Sequence, residues 1–522
     1  MYKKALLIYP SAMSEMPHSL AMISAIFKEF HYDVRIEEST FKHPLDNDHF
    51  MRVVNEYQPS IVGISTLTMQ ILKIYDLVGR IKVTGIPVIA GGTHVTTCDV
   101  EAVEHGVDVV VRNEGEATLR ELLQKMDATP SRLVNLTDVL GITYRNILNN
   151  KIIRNPERPR ITDLSTLPDP DFSGFDIERF RLEGDGLLKG IHRIYTSRGC
   201  PGRCTFCDSK VYGQKATYNP ISQVRADIQR RVDNYGVRKF IVADDCFTMN
   251  KMHVAAFCEA AKTITPRIEW QAWTRADMMT PEMATMMKDA GCYMVIFGIE
   301  SGDPETLKKT CKGTTRERNI AAPKIAHAAG LKVGVNLMFG FPWETVQSLQ
   351  NTLDMIHELW DVTHMFNGSG SIVPFPGTEL YQQYVEEYGF KDYWLDPRYQ
   401  DCGVSLYQNA ENPYAVSTLS QRYMYDDTYI QEEYFFKYTP EFVNKMSEVA
   451  YEIGRHNLET MYPGHYFKQK AILAACKLSR AVYVVLPNLE KKIGSFLAGN
   501  TRPAIEDRRN VARGQANRTV CA

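Results

Sequence analysis

Several features are missing from this chain of 522 residues, and each absence narrows what it can be. No run approaches the roughly 18 apolar residues of a membrane span. The opening stretch, Met1 to Pro10, carries Lys3 and Lys4 and a short apolar run, which is too little for a signal peptide and suits a buried first strand. Charge of one sign is not in excess: 60 Lys and Arg stand against 62 Asp and Glu, for a formal net charge of -2. The bulk basicity that marks a nucleic-acid partner is absent, so none is expected. The 11 cysteines come without a secretion signal, which points to a reducing cytoplasm. Paired C-x2-C spacings of the zinc-site kind are lacking as well.

What the chain does have is one close group of thiols, Cys200-Pro-Gly-Arg-Cys204-Thr-Phe-Cys207. Iron-sulfur clusters are held by Cys thiolates, usually four of them. Three at C-x3-C-x2-C, with no fourth nearby, can ligate three irons of a 4Fe-4S cluster and leave the fourth iron open for a substrate or cofactor. Zinc, a disulfide and unconnected thiols are the competing readings. Gly199, Pro201 and Gly202 let a tight loop wrap a cluster after the strand-like His192 to Ser197. The other cysteines, Cys98, Cys246, Cys258, Cys292, Cys311, Cys402, Cys476 and Cys521, form no second spacing of this kind.

From residue 1 to about 130, short apolar runs alternate with helix-length stretches. Ala5 to Tyr9 is followed by Leu20 to Phe30, Val34 to Glu37 by Asp48 to Tyr57, and Ile61 to Ser65 by Ile71 to Val83. Val88 to Gly91, Val107 to Val111 and Glu116 to Met126 complete the series. The alternation predicts an α/β domain with a doubly wound parallel sheet. Ligands of such sheets sit beyond the carboxyl ends of the strands. The loops there carry Ser19, then Ser65 and Thr66, then Gly91, Gly92 and His94, then Glu114 and Gly115. Read singly, the glycines are turn glycines and His94 is a surface residue. Read together, they place small and hydroxylated groups at one rim, where a large flat ligand can approach the backbone.

Residues 131 to 188 are broken by Pro156, Pro159, Pro168 and Pro170 and read as a linker with a hairpin from Gly141 to Ile153. Alternation resumes over residues 189 to 380. The strands expected there are Arg193 to Ser197, Lys239 to Ala243, Glu269 to Thr274, Tyr293 to Gly298, Lys332 to Phe339 and His364 to Val373. Six strand-helix units make a partial parallel barrel, with the site at the carboxyl ends of its strands.

The thiol spacing, with Phe206 just before the third Cys, resembles the signature of the radical SAM enzymes. The rim residues before it resemble the cobalamin-binding domain of the cobalamin-dependent (class B) radical SAM family, methylase type. The resemblance covers residues 1 to 380. It implies three cofactors: a 4Fe-4S cluster on Cys200, Cys204 and Cys207, S-adenosylmethionine, and cobalamin. The D-x-H-x-x-G motif that supplies a His ligand to cobalt is absent, as it is in these relatives, and Ser19 stands where they often carry Gly. The resemblance further implies that Asp244 or Asp245, after the second barrel strand, accepts hydrogen bonds from the cofactor ammonium; a helix cap is their other reading. It places Arg275 at the cofactor carboxylate and Glu300 at the ribose. Gly340 to Thr345 resembles the adenine-side loop, with Glu344 equally at home in a helix first turn.

Beyond residue 380 the motifs stop. Residues 381 to 500 read as a mainly helical, Tyr-rich region, with Tyr393, Trp394, Tyr399, Tyr423, Tyr425, Tyr429 and Tyr434. Such residues could wall a large apolar substrate or pack as an ordinary cap. Lys468 to Leu497 is basic and amphipathic, fit to lie on a membrane surface or on its own protein. The Arg-rich residues 501 to 522 are expected to be disordered.

The family likeness thus implies a C-methyltransferase. The cluster and S-adenosylmethionine would yield a 5'-deoxyadenosyl radical that takes hydrogen from an unactivated carbon, and methylcobalamin would supply the methyl group. Hydrophobic polycycles, hopanoid-type lipids or tetrapyrroles, are the expected substrates, and a flavodoxin or ferredoxin the expected electron donor. A second enzyme reading ends in oxidative ring formation or rearrangement; a non-enzyme reading is a cobalamin or iron-sulfur sensor.

Overall fold

A computed structural model describes residues 3–10, 17–39, 46–128, 136–177, 191–208, 212–368, 372–396 and 435–461. The aromatic stretch from 397 to 434, the basic segment from 468 to 497 and the tail from 501 lie outside these.

The first sheet is built on β1 (Lys4–Tyr9), whose Ala5, Leu6, Leu7 and Ile8 are all fully buried. A strand covered on both faces needs apolar side chains on both, which is why the run is continuous rather than alternating. β1 pairs in parallel with β2 (Asp33–Glu38) on one side and β3 (Ile61–Ser65) on the other. β4 (Val88–Gly91) and β5 (Val109–Val111) extend the parallel order from β3. The helices between them turn apolar faces inward: α1 (His18–Glu29) buries Leu20, Ala21, Ile26 and Phe27, and α3 (Ile71–Lys82), which follows α2 (Asn47–Tyr57), buries Ile74, Leu77, Val78 and Ile81. α4 (Thr93–Thr97) and α5 (Asp99–Glu104) lead into β5, and α6 (Gly115–Ala128) follows it.

The hairpin expected within a linker instead completes this sheet. β6 (Ile142–Arg145) lies antiparallel to β5, and β7 (Ile152–Arg154) antiparallel to β6, giving the order β2-β1-β3-β4-β5-β6-β7. A buried polar network fastens it. Arg112, 1% exposed, donates to Asp99 Oδ2 at 3.0 Å, to Thr143 Oγ1 at 2.7 Å and to the Asn155 carbonyl at 2.5 Å. Arg154 Nε reaches the same Asp99 oxygen at 2.7 Å.

The second sheet is wholly parallel, in the order β15-β14-β13-β12-β11-β8. Its strands are β8 (Ile191–Ile194), β11 (Lys239–Val242), β12 (Glu269–Arg275), β13 (Cys292–Glu300), β14 (Lys332–Leu337) and β15 (Met365–Asn367), with a small antiparallel ladder of β9 (Ser197–Arg198) and β10 (Thr217–Tyr218) beside them. Among the described residues β8 and β15 are its two unjoined edges, so the barrel is partial. At β15 the helix Pro440–Met461 covers the edge: Asn457 accepts from the Phe366 N–H at 2.9 Å and donates to the Phe366 carbonyl at 2.7 Å. One side-chain amide thereby takes the place of a next strand.

The described part of the aromatic region is packed rather than open. Tyr393, Trp394, Phe435 and Phe436 are buried, with Tyr393 edge-on to Phe435 at 4.6 Å. No described helix is long and apolar enough to cross a membrane.

Substituting Asp99→Ala strands the buried Arg112 guanidinium and is expected to cost about 3–5 kcal/mol. Asp48→Ala, which removes one of the two exposed partners of Arg80, should cost at most about 1 kcal/mol. Denaturant unfolding of the two variants, compared with the parent chain, checks the contrast.

Candidate functional site

The thiol loop leaves β8 at Ile194 and has few sheet partners of its own, so its place depends on groups from neighbouring strands. Asp244, 1% exposed at the end of β11, accepts from the Thr196 N–H at 2.6 Å, from Thr196 Oγ1 at 2.5 Å and from Ser197 Oγ at 2.7 Å. Burial pushes its carboxyl up to about 6 against these hydrogen bonds, which hold it down. The Asp244 carboxylate is thus spent on the backbone that leads to the thiols, and the cofactor-ammonium role implied for it does not hold in this geometry. Asp245 differs. Its exposed carboxylate accepts the Gly199 N–H at 2.8 Å through one oxygen, and the other can take a ligand ammonium. Gly199 sits at φ 85°, where an added Cβ would lie 2.4 Å from the Lys215 carbonyl, so only glycine fits.

Cys200, Cys204 and Cys207 are free and partly exposed. Gly202 lies among them: a Cβ there would stand 3.2 Å from Cys200 Sγ and 3.9 Å from Cys204 Sγ, in the space a cluster would take. The loop is pinned from outside by Thr205, whose N–H donates to the Thr310 carbonyl at 3.0 Å and whose carbonyl accepts from Leu380 at 2.8 Å. Burial raises the Cys200 and Cys204 thiols, while Arg275 and Lys312 draw Cys204 down. Three accessible thiols, a cradle kept clear by glycine and two nearby cations fit an anionic 4Fe-4S cluster. Phe206 packs on Phe341 with ring centroids 5.9 Å apart, which brings the aromatic before the third Cys against the Phe341-Pro-Trp-Glu344 loop.

Arg275, Lys312 and Glu300 form one linked group. Arg275 Nε and Nη2 grip Asp277 at 2.9 and 3.1 Å, and Nη2 also reaches the Lys312 carbonyl. Lys312 Nζ donates to Glu300 Oε1 at 2.5 Å, with both side chains under 10% exposed. Glu300 stands in the left-handed region at φ 66°, where the register between β13 and β14 shifts. Such strain in a residue other than glycine costs about 1–3 kcal/mol and clusters at functional sites. The structure therefore gathers Arg275 and Glu300 beside the thiols, and it adds Lys312, which the sequence reading missed. A lysine in a loop after a short helix carries no spacing signal of its own.

At the carboxyl end of the first sheet a cavity of about 380 Å³ opens. Ser19, Ser65, Thr66, Gly91, Gly92, Glu114 and Gly115 all line it. Its floor is apolar, with Leu7, Ile23, Phe27 and Leu119, and its far wall comes from the barrel through Arg193, Tyr195 and Tyr212. Gly92, at φ 115°, has no room for a Cβ, which would fall 2.5 Å from the Thr66 carbonyl. A Cβ on Gly91 would meet only the Val111 carbonyl, at 3.7 Å, and would otherwise fill the cavity. An apolar floor under a rim of small and hydroxylated residues fits cobalamin.

His94 is not in that lining. It is fully buried, with Nδ1 3.2 Å from Thr68 Oγ1 and Nε2 3.3 Å from Glu101 Oε1. Glu101 also accepts from Tyr75 at 2.7 Å and from Trp394 at 2.9 Å, so His94 belongs to a network that sews the first domain to the chain beyond the barrel. Its cofactor-binding role is corrected accordingly. Glu114 lines the cavity, yet its oxygens are taken by Arg198 at 3.3 Å and the Ile161 N–H at 2.9 Å.

Asp244→Asn turns an amide toward three donors. It is expected to cost about 1–3 kcal/mol and to lower the iron retained per chain after anaerobic desalting. Asp245→Asn, which disturbs one part-buried contact, should keep its iron.

Residues 194–356 match the radical SAM superfamily, and residues 11–123 match the B12 binding domain. An uncharacterized methyltransferase of Pyrococcus horikoshii is 30% identical over 70% of this chain and 78% of its own length. The cytidylyl-2-hydroxyethylphosphonate methyltransferase of Streptomyces wedmorensis is 26% identical over 75% and 83%. The hopanoid C-3 methylase of Methylococcus capsulatus is 25% identical over 73% and 70%. Among solved structures, the radical S-adenosylmethionine methyltransferase TsrM of Kitasatospora setae, with cobalamin and a 4Fe-4S cluster bound, shares the fold at a TM-score of 0.61 and 18% identity, over 75% of this chain and 76% of that one. With its thiol loop at the mouth of a partial barrel and a B12-type sheet before it, the chain belongs to the cobalamin-dependent radical SAM methyltransferases.

Proposed function

We propose that this methyltransferase acts on an unactivated carbon of a hydrophobic, polycyclic substrate of the hopanoid or tetrapyrrole kind. An unactivated C–H bond offers no acidic proton, so side-chain bases cannot open it, and the cofactors carry that chemistry. When bound, the cluster with S-adenosylmethionine supplies a hydrogen-abstracting radical, and cobalamin supplies the methyl group. The chain's own part is to bind and orient. Cys200, Cys204 and Cys207 are the ligands, Asp245 and Arg275 are the groups suited to the ammonium and carboxylate of S-adenosylmethionine, and Glu300 suits its ribose, as the family likeness implies.

The observation that carries the substrate reading is the likeness to a hopanoid methylase over 73% of the chain. The aromatic residues first considered as a substrate wall give it no support where they are described, since they are packed as core. A polar, nucleotide-bearing substrate is the second reading and rests on the cytidylylated phosphonate in the name of the Streptomyces relative.

Anaerobically reconstituted protein, given methyl-labelled S-adenosylmethionine with a hopanoid, a tetrapyrrole or a cytidylylated phosphonate, distinguishes the readings by product mass. A gain of one labelled methylene on a polycycle supports the first. The same gain on the phosphonate overturns it, and a product without label points to ring formation. Cys204→Ala is expected to reduce S-adenosylmethionine cleavage to background while the variant still takes up added cobalamin, at the affinity of a cluster-free chain, which an absorbance titration of the isolated variant checks.

A further inference from the structure

Arg198 stands two residues before Cys200, in β9, and its side chain is 12% exposed. Its guanidinium reaches out to carboxylates of the first domain. Nη2 pairs with Glu116 Oε1 at 2.6 Å and Nη1 with Glu114 Oε1 at 3.3 Å, while its plane lies over the Tyr212 ring at 5.7 Å. Glu114, Glu116 and Tyr212 all line the cavity at the end of the first sheet. Both carboxylates are more than nine-tenths buried, and Glu114 is held in turn by the Ile161 N–H. On its other side, the next residue, Gly199, is tied to Asp245 of the barrel. The residues just before the first cluster thiol are therefore fixed from two directions, one of them the wall of the cobalamin cavity.

A planar fork can span two carboxylates at once, and a lysine cannot. Two buried acids sharing one cation also make the link stiff, since losing the cation leaves both charges uncompensated. We propose that Arg198 is a positioning residue that couples the cobalamin cavity to the cluster loop, so that each cofactor binds more tightly when the other is in place. By linkage the coupling is reciprocal, and couplings of this kind commonly reach about tenfold in affinity. The inference goes beyond the substrate reading and needs no substrate to test.

The test is the affinity of aquacobalamin for the full chain, with and without its cluster, read by absorbance titration under anaerobic conditions. The parent chain is expected to bind about tenfold more tightly when cluster-loaded. Arg198→Lys should keep part of that ratio. Arg198→Met combined with Glu114→Gln and Glu116→Gln removes cation and anions together, so that no buried charge is left alone; it should keep its iron and lose the ratio. A parent chain whose cobalamin affinity ignores the cluster overturns the proposal. So does a ratio that persists in the triple variant, or a triple variant that loses its iron.

Discussion

The constraint on which the rest depends is that a loop holding three thiols around a metal cluster cannot also be a strand. Its backbone groups have no continuous ladder to satisfy them, and a loop left to itself would sample many shapes. Here the shape is imposed by a carboxylate from the adjacent strand. Asp244 gathers one backbone N–H and two hydroxyls from Thr196 and Ser197, with no solvent to compete. Burying that carboxylate is costly, as its raised pKa records, and the hydrogen bonds offset the cost. His253, 2.8 Å from Thr196 Oγ1, and Asn219, donating to the Tyr195 carbonyl at 2.9 Å, extend the same brace.

Much of the architecture was legible because burial on both faces leaves a plain mark. Ala5 to Tyr9 and Val107 to Val111 read as strands since their buried positions must be apolar, and six strand-length runs after residue 189 gave the barrel its count. The hairpin Ile142–Arg145 with Ile152–Arg154 was not legible as part of the first sheet. Pro156 and Pro159 follow it closely and imitate a linker, while its place in the sheet comes from Arg112, Asp99 and Thr143, which meet only once the chain has folded. The three thiols stood out because their spacing is chemistry in one dimension.

Residues with two uses were the hard cases. A carboxylate or imidazole at a strand end can face a ligand or brace a neighbour, and the sequence around Asp244, His94 and Glu114 is compatible with both. What decides is a partner from elsewhere in the chain: Thr196 for Asp244, Glu101 for His94, Arg198 for Glu114. Lys312 was silent for the complementary reason. Its role comes from Glu300, 12 residues away, whose left-handed backbone aims the carboxylate at it.

The cations beside the thiols bear on how the site meets charge. Arg275 is paired with Asp277 and Lys312 with Glu300, so the four groups sum to zero before any cluster is present. A neutral set does not attract an anionic cluster by net charge. Its effect is positional: the positive ends are held near the sulfurs, and neither side chain must be ordered or stripped of water when the cluster arrives. Groups fixed in advance cost no reorganisation, which is the usual advantage of preorganised charge in a low-dielectric site. Gly298 makes the arrangement possible, since a Cβ there would lie 2.7 Å from Glu300 Oε1 and 2.9 Å from Lys312 Nζ and would force the pair apart. The strain stored at Glu300 is then the local cost of keeping a lysine buried and aimed at the thiol loop.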